Sequence, residues 1–459
     1  MMSGTRTITN DLTGGSVAKK LLRFSWPIMV ANLLQTIYGL VDMVIVGHFV
    51  GAHGLSAVGI GGQIMMLFLT VGMSIGHAGQ ILIAQQIGAG DRDGLGWSVG
   101  TILSLEVLAG LVFGAGCAIF SRQILRLMNT PPEAFAQARA YVLVCGAGML
   151  FVYGYNALSS ILRGLGDSRL PMIAVAAAQV LNVLLDLVFV AGLRLGAGGA
   201  ALATVIGQGL ALGAVTVFLY RKRGSLGFPF DRRHLRIRRK NLMALTKVGL
   251  PLMAQALLIS LSMTYINAMV NAYGVTASAV EAVGGKLNNI LYIVIDGMAV
   301  GASAMIGQSF GARDFDRIRE IHWYAVGFSV SISLVLCVIL IAVPGAVFRL
   351  FTDDAAVLAM APRYIWVVVV YSMAAATMVA PFSVVEGIGY TTFAMLASLA
   401  DGVVARIGLG WLMGRLFGLY GFWFGSASAG FVTTILTGIY YLSGRWKNRQ
   451  PIMETEAAG

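Results

Sequence analysis

The sequence predicts an all-α integral membrane protein of twelve transmembrane helices arranged as two six-helix lobes. Three observations predict it. Charge is scarce, since 58% of the 459 residues are apolar, only 11% are charged and the mean hydropathy is +0.81. A soluble domain carries about 25% charged residues, and a chain this long could not cover a wet surface with so few. Apolar runs of about 20 residues, the length that crosses a hydrocarbon core, recur from end to end. Motifs of the first half also return in the second at a nearly constant interval. The same composition excludes a disordered chain, a collagen-like fibre and a disulfide scaffold.

The runs at 24–47, 56–84, 97–120, 141–162, 171–193 and 199–220 form six spans. Those at 248–271, 284–308, 322–345, 364–385, 392–414 and 421–443 form six more. Lipid admits only helices or closed β-barrels, because every backbone group must be satisfied without water. A barrel strand alternates apolar and polar residues over about ten positions. Stretches such as 180–191 do not alternate. The spans are therefore helices.

Basic residues orient them. With the N-terminus inside, 23 of the 32 Lys and Arg residues fall in cytoplasmic segments and 7 outside, leaving Lys286 and Arg406 within spans. Such a bias marks the cytoplasmic side. Ten of the 23 lie in 221–247, where a loop beside anionic lipid explains them better than nucleic acid does. The organisation expected is a cytoplasmic tail (1–23), a first lobe (24–220), a basic cytoplasmic linker (221–247), a second lobe (248–443) and a second cytoplasmic tail (444–459) in a cell (inner) membrane. The polar first 18 residues and the long first apolar run do not read as a cleavable signal. Cys117, Cys145 and Cys337 all sit in apolar runs and read as small buried hydrophobes.

The two halves repeat. Pro27 matches Pro251, Ala84-Gln85-Gln86-Ile87-Gly88-Ala89 matches Gly307-Gln308-Ser309-Phe310-Gly311-Ala312, and Arg163-Gly164-Leu165-Gly166 matches Glu386-Gly387-Ile388-Gly389, at offsets of 224, 223 and 223. Six spans per half is an even number, so both halves enter the membrane in the same direction. Parallel repeats about an axis along the membrane normal characterise one class of secondary transporter.

Ionisable groups inside spans are costly and point to function. Among Asp42, Glu106, Asp186, Glu281, Asp296, Glu386 and Asp401, Glu281 and Glu386 lie near span ends. Asp296 and Asp401 have basic neighbours in Lys286 and Arg406, and Glu106 has no evident partner. Asp42 and Asp186 differ from these. Gln35, Tyr38 and Asp42 share one helix face, as do Gln179, Asn182 and Asp186, both at i, i+3 and i+7. Thr204, flanked by Ala201 and Gly207, adds a hydroxyl. Two carboxylates, an amide oxygen and a hydroxyl form either a proton-sharing cluster or a hard oxygen site for Na+, with a structural hydrogen-bond network as the bland alternative. Met65, Met66, Tyr38, Phe151, Tyr155 and Met263 are candidates for an adaptable cavity wall. Gly88-Ala89-Gly90 is not preceded by a strand, so it is not a dinucleotide loop. The chain carries no Walker-type phosphate loop, the His residues lack metal spacing, and His77 is open between a relay and a packing role.

In these residues the chain resembles the multidrug and toxic compound extrusion (MATE) family. The resemblance is carried by Pro27, the stripe leading to Val41-Asp42, Gly88-Ala89-Gly90-Asp91, Arg163-Gly164-Leu165-Gly166-Asp167, and Asn182 with Asp186. It covers about residues 15–445. It implies a V-shaped pair of lobes, alternating access, and export of cationic amphiphilic drugs or metabolites in exchange for H+ or Na+. It also implies that Asp42, Asn182, Asp186 and Thr204 hold the coupling ion, with Gln35 on the drug-binding surface. Tyr38, Gln179, Met65, Tyr155 and Met263 complete the expected substrate-binding set. The NorM-type branch has a further acid in the first helix of the second lobe. Residues 250–270 contain none, Ile259 stands near the expected place, and 364–380 lack one too, which favours the DinF-like branch. The expectation is an ion-coupled exporter and not an enzyme, with no cofactor beyond the coupling ion. Its expected partners are small cationic compounds and membrane lipid, without nucleic acid, and a monomer suffices. The alternative from the same superfamily is a lipid-linked precursor flippase, which would need a basic central cavity.

Overall fold

The computed structural model describes residues 10–225 and 227–453. No β-strand occurs among them. The helices are α1 (Val17–Val50), α2 (Ala52–Ala89), α3 (Arg92–Leu127), α4 (Pro132–Gly164), α5 (Arg169–Asp186), α6 (Gly196–Arg221), α7 (Arg239–Asn271), α8 (Val275–Gly311), α9 (Phe315–Ala342), α10 (Pro344–Arg349), α11 (Ala355–Gly387), α12 (Thr391–Leu399), α13 (Arg406–Ser428) and α14 (Gly430–Leu442). Among the described residues eleven helical stretches are long and apolar enough to span a membrane. The last, Thr391–Leu442, has 52 residues, which at 1.5 Å per residue is enough for two crossings. It breaks at Gly418, where φ is 67° and ψ is −152°. Twelve crossings therefore follow from eleven stretches.

The chain divides into two compact units, one of residues 1–11 and 30–249, the other of residues 12–29 and 250–459. Their boundaries fall inside α1 and α7, close to Pro27 and Pro251, where a missing N–H weakens the helix ladder. They do not fall in the linker expected at 221–247, because that segment packs on the first unit. The Ser104 hydroxyl donates to the Leu235 carbonyl at 2.6 Å, Asn241 donates to Ser98 at 2.9 Å, and Arg238 lies over the Trp97 ring at 3.3 Å. In the second unit, the Arg317 guanidinium holds residues 12–15 by donating to the carbonyls of Leu12, Gly14 and Gly15.

The motifs that revealed the repeat are its turns. Gly90 ends α2 with φ of 72°, and the Asp91 carboxylate caps α3 by accepting from the Gly94 N–H at 2.8 Å. In the second unit Arg313 takes the same left-handed place with φ of 59°, and Asp314 caps α9 by accepting from the Arg317 N–H at 3.0 Å. Aspartate is a good N-cap because its oxygen satisfies an orphan donor of the first turn.

Packing repeats as well. In the first unit α4 is central, against α2, α3 and α6, and in the second α11 takes that place against α8, α9 and α14. A Cβ on Gly61 would lie 2.4 Å from the Tyr141 ring, and one on Gly284 would lie 2.0 Å from the Tyr364 ring. Close approach of backbone to side chain drives helix association where lipid is as apolar as the helices themselves. Gly61→Ala and Gly284→Ala should each cost about 1–3 kcal/mol, whereas Gly62→Ala, whose Cβ meets nothing within 4 Å, should be neutral. Thermal unfolding of the three purified variants checks this. Equal midpoints would contradict the seam.

Candidate functional site

The first unit's polar site is assembled from side chains on α1, α5 and α6. The Tyr38 hydroxyl on α1 shares a hydrogen bond with the Thr204 hydroxyl on α6 at 2.9 Å, and faces Asn182 and the carboxylates of Asp42 and Asp186. Asp42 and Asp186 also lie within electrostatic reach of one another. Thus Asp42, Asn182, Asp186 and Thr204, named from the sequence, are brought together, with Tyr38 among them. Asp42, Asn182 and Asp186 are buried, at 7%, 2% and 0% exposure.

Helix geometry builds this site. Gly207 lets α6 approach α5 closely, since a Cβ there would lie 3.1 Å from the Ala178 carbonyl and 3.5 Å from Asn182 Cβ. Immediately after Asp186 the helix widens into a π-turn, Leu187–Gly192, with the Leu193 N–H donating to the Val188 carbonyl at 2.8 Å. Such turns recur at functional positions because they break the regular ladder. Nothing in the residue pattern announces one.

Asp42 Oδ1, Asn182 Oδ1 and both Asp186 carboxylate oxygens have no hydrogen-bond partner among the described residues. Buried polar atoms ordinarily find partners, so this cluster has unused acceptor capacity. Two carboxylates, an amide oxygen and hydroxyls are hard ligands suited to a proton or to Na+ and poorly suited to a soft metal. No group of three or more His, Cys, Asp or Glu that could hold a metal ion occurs among the described residues.

The other predicted substrate residues are scattered. Gln35 is exposed on α1, Gln179 is half-buried on α5, and Met263 is half-buried on α7 in the second unit. Met65 and Tyr155 correct the sequence expectation. They are only 7% and 5% exposed, lie in apolar cores, and the Tyr155 hydroxyl donates to the Pro171 carbonyl at 2.9 Å. Both hold helices together instead of facing open space. One residue that sequence reasoning missed is Tyr141 on α4, which lies within electrostatic reach of Asp42 and Tyr38. Its pairing with Gly61, matched by Tyr364 with Gly284, is the signal that could have found it.

Among the described residues the second unit lacks a counterpart of the Asp42 stripe, but Asp296 and Glu386 form a carboxylate pair within electrostatic reach of one another and of Tyr292. At the spacing of the two proline motifs, Gln35, Tyr38 and Asp42 correspond to Ile259, Ser262 and Ile266. Two of its other acids are bonded. Asp401 accepts from Arg406 at 3.3 Å and from Thr433 at 3.2 Å, and Glu281 accepts from the Tyr364 hydroxyl at 2.9 Å. Two cavities lie within this unit. One of about 310 Å³ is apolar and aromatic, lined by Tyr265, Met269, Trp411 and Phe422. The other, of about 520 Å³, is polar, with Asn267, Asn271, Glu281 and Lys286 in its wall.

A polytopic helical protein of two repeated units, with an oxygen cluster deep in one of them, is a membrane transporter and not an enzyme. The MatE family matches residues 27–188 and again 251–412, once per repeat. The chain belongs to this family. It is 28% identical over 438 residues to the probable multidrug resistance protein YpnP of Bacillus subtilis, covering 95% of this chain and 97% of that one. It is 22% identical to the probable multidrug resistance protein NorM of Thermotoga maritima, covering 94% of each. Its fold matches an outward-facing multidrug resistance MATE family transporter with TM-score 0.89 at 24% identity, covering 95% of this chain and 98% of that one.

The bond between Tyr38 and Thr204 yields a specific expectation. Tyr38→Phe and Thr204→Ala remove the same interaction, so the double variant should be less destabilised than the sum of the singles, by about 0.6 kcal/mol. A thermal-unfolding mutant cycle reads this directly, and strict additivity would show that the bond contributes nothing.

Proposed function

We propose that this protein is a secondary active multidrug efflux antiporter that exports cationic amphiphilic compounds in exchange for H+ or Na+. The observation that carries the reading is the pair of adjacent buried carboxylates, Asp42 and Asp186, with acceptor oxygens left unfilled. A multidrug function is supported by relatives named for multidrug resistance over nearly the whole chain.

In this reading an ion arriving from outside occupies Asp42, Asn182, Asp186 and Thr204. It neutralises charge and draws Tyr38 and Thr204 into a new hydrogen-bond pattern. The ion does work only because it binds the two conformations of the unit differently. Residues Gln35 and Gln179 line the path of the drug, and Met263 and the aromatic cavity of the second unit offer apolar and cation–π surface to an amphiphilic cation. Coupling confined to the first unit, as in the DinF-like branch, is supported by the replacement of the acidic stripe by Ile259, Ser262 and Ile266. Both termini face the cytoplasm of a cell membrane in this scheme, and the exposed basic residues of 232–240 face anionic lipid.

A flippase for anionic lipid-linked precursors would need cations in its cavity. Of the two cations that the sequence places within spans, Arg406 is bonded to Asp401, and Lys286 shares the wall of the polar cavity with Glu281. The balance of charge supports a cationic cargo.

Asp42→Asn keeps the shape and removes the charge. It should abolish ethidium efflux from cells while leaving expression and monodispersity unchanged. Efflux equal to wild type would remove Asp42 from the mechanism.

A further inference from the structure

The first unit contains a further deeply buried carboxyl group that the coupling cluster does not use. Glu106, on α3, is 0% exposed, and neither of its oxygens has a hydrogen-bond partner among the described residues. It points into the seam between α2 and α4. A Cβ on Gly72 would lie 3.2 Å from Glu106 Oε2 and 2.9 Å from the Tyr153 ring. One on Gly76 would lie 3.5 Å from Glu106 Oε1 and 2.5 Å from the Ser160 hydroxyl. Two glycines one turn apart thus leave the room that the carboxyl group fills.

The repeat supplies a control. At offset 223 the second unit carries Ser329 in place of Glu106, Ile295 in place of Gly72, Ala299 in place of Gly76 and Ala376 in place of Tyr153. The same fold closes this seam with ordinary side chains. A carboxyl group here is therefore not required by the architecture.

We propose that Glu106 is a second proton-binding site of the first unit, distinct from the Asp42 and Asp186 cluster, which holds a proton in the conformation described here and releases it when α2 and α4 rearrange around it. An ionised carboxylate with no donor in reach would cost several kcal/mol or more in such surroundings, far more than the neutral acid. The groups facing it are few. From α4 come the Tyr153 hydroxyl, which is committed to the Phe68 carbonyl at 2.5 Å, and Ser160, which accepts from Arg163 at 2.9 Å. From α2 come the two glycines, with His77 as the next residue after Gly76, and Gln80 beyond it accepts from Arg163 Nε at 2.9 Å.

Its position suits a relay. Along α4, Tyr141 marks the level of Asp42, Tyr153 follows about 18 Å further on at 1.5 Å per residue, and Ser160 and Arg163 lie beyond. Glu106 thus stands between the coupling cluster and the polar chain of Ser160, Arg163 and Gln80. The release step rests on the export function proposed above, whereas the protonated state does not.

Two readouts on the full chain in lipid nanodiscs test this. Infrared spectra of the Asp42→Asn, Asp186→Asn double variant should retain a protonated-carboxyl band component that is lost when Glu106→Gln is added. Binding of tetraphenylphosphonium to the wild type in weak buffer should release protons, and Glu106→Gln should release about one fewer per molecule. Glu106→Ser, the residue of the second unit, serves as a second variant should the amide misfold. If no band is lost, Glu106 is ionised and the proposal fails. If the band is lost but the proton count equals wild type, Glu106 is a static acid and the release step fails. If the wild type neither binds nor exports the probe, the export reading fails and takes the release step with it, while the band still decides the charge state.

Discussion

Everything in this molecule depends on the cost of an unpartnered polar group away from water. Hydrocarbon offers no hydrogen bonds, so the backbone must close on itself as helices and polar side chains must be hidden within a unit. The first unit hides two carboxylates beside an amide and two hydroxyls, with α5 and α6 brought together at Gly207. The second neutralises Asp401 internally with Arg406 and Thr433.

Duplication makes that contrast readable. Gly61 with Tyr141 and Gly284 with Tyr364 keep one geometry in both units, as do Gly164 and Gly387 against Ile83 and Ile306. These contacts are what both copies must share to close their seams. What they do not share, namely Asp42 and Tyr38 against Ile266 and Ser262, or Glu106 against Ser329, is free of that duty. These differences are where the proposed functional residues lie.

The fold was legible because apolar runs and a fixed offset are strong, redundant signals. Their limits are physical. The helices outrun the apolar runs, as α2 shows by spanning Ala52–Ala89 against an expected 56–84, because polar first and last turns continue the ladder beyond the hydrocarbon. The π-turn after Asp186 left no trace, since it is a matter of hydrogen-bond register. Unit boundaries inside α1 and α7 were hidden because one helix contributes to both units. In the site, charged and amide residues at helical spacing identified Asp42, Asn182 and Asp186 as neighbours, and the family resemblance added Thr204. Met65 and Tyr155 misled because an apolar side chain reads the same whether it faces a core or a cavity. Tyr141 went unnoticed because it comes from a helix with no polar stripe of its own.

The central claim is that a cation gradient acting on the first unit drives export. Proteoliposomes loaded with a fluorescent cation, with proton and sodium gradients imposed separately and then collapsed, test it most directly. The account predicts uphill movement of the cation with at least one of the two gradients and none when both are abolished. Uphill transport that persists after both are collapsed would contradict it.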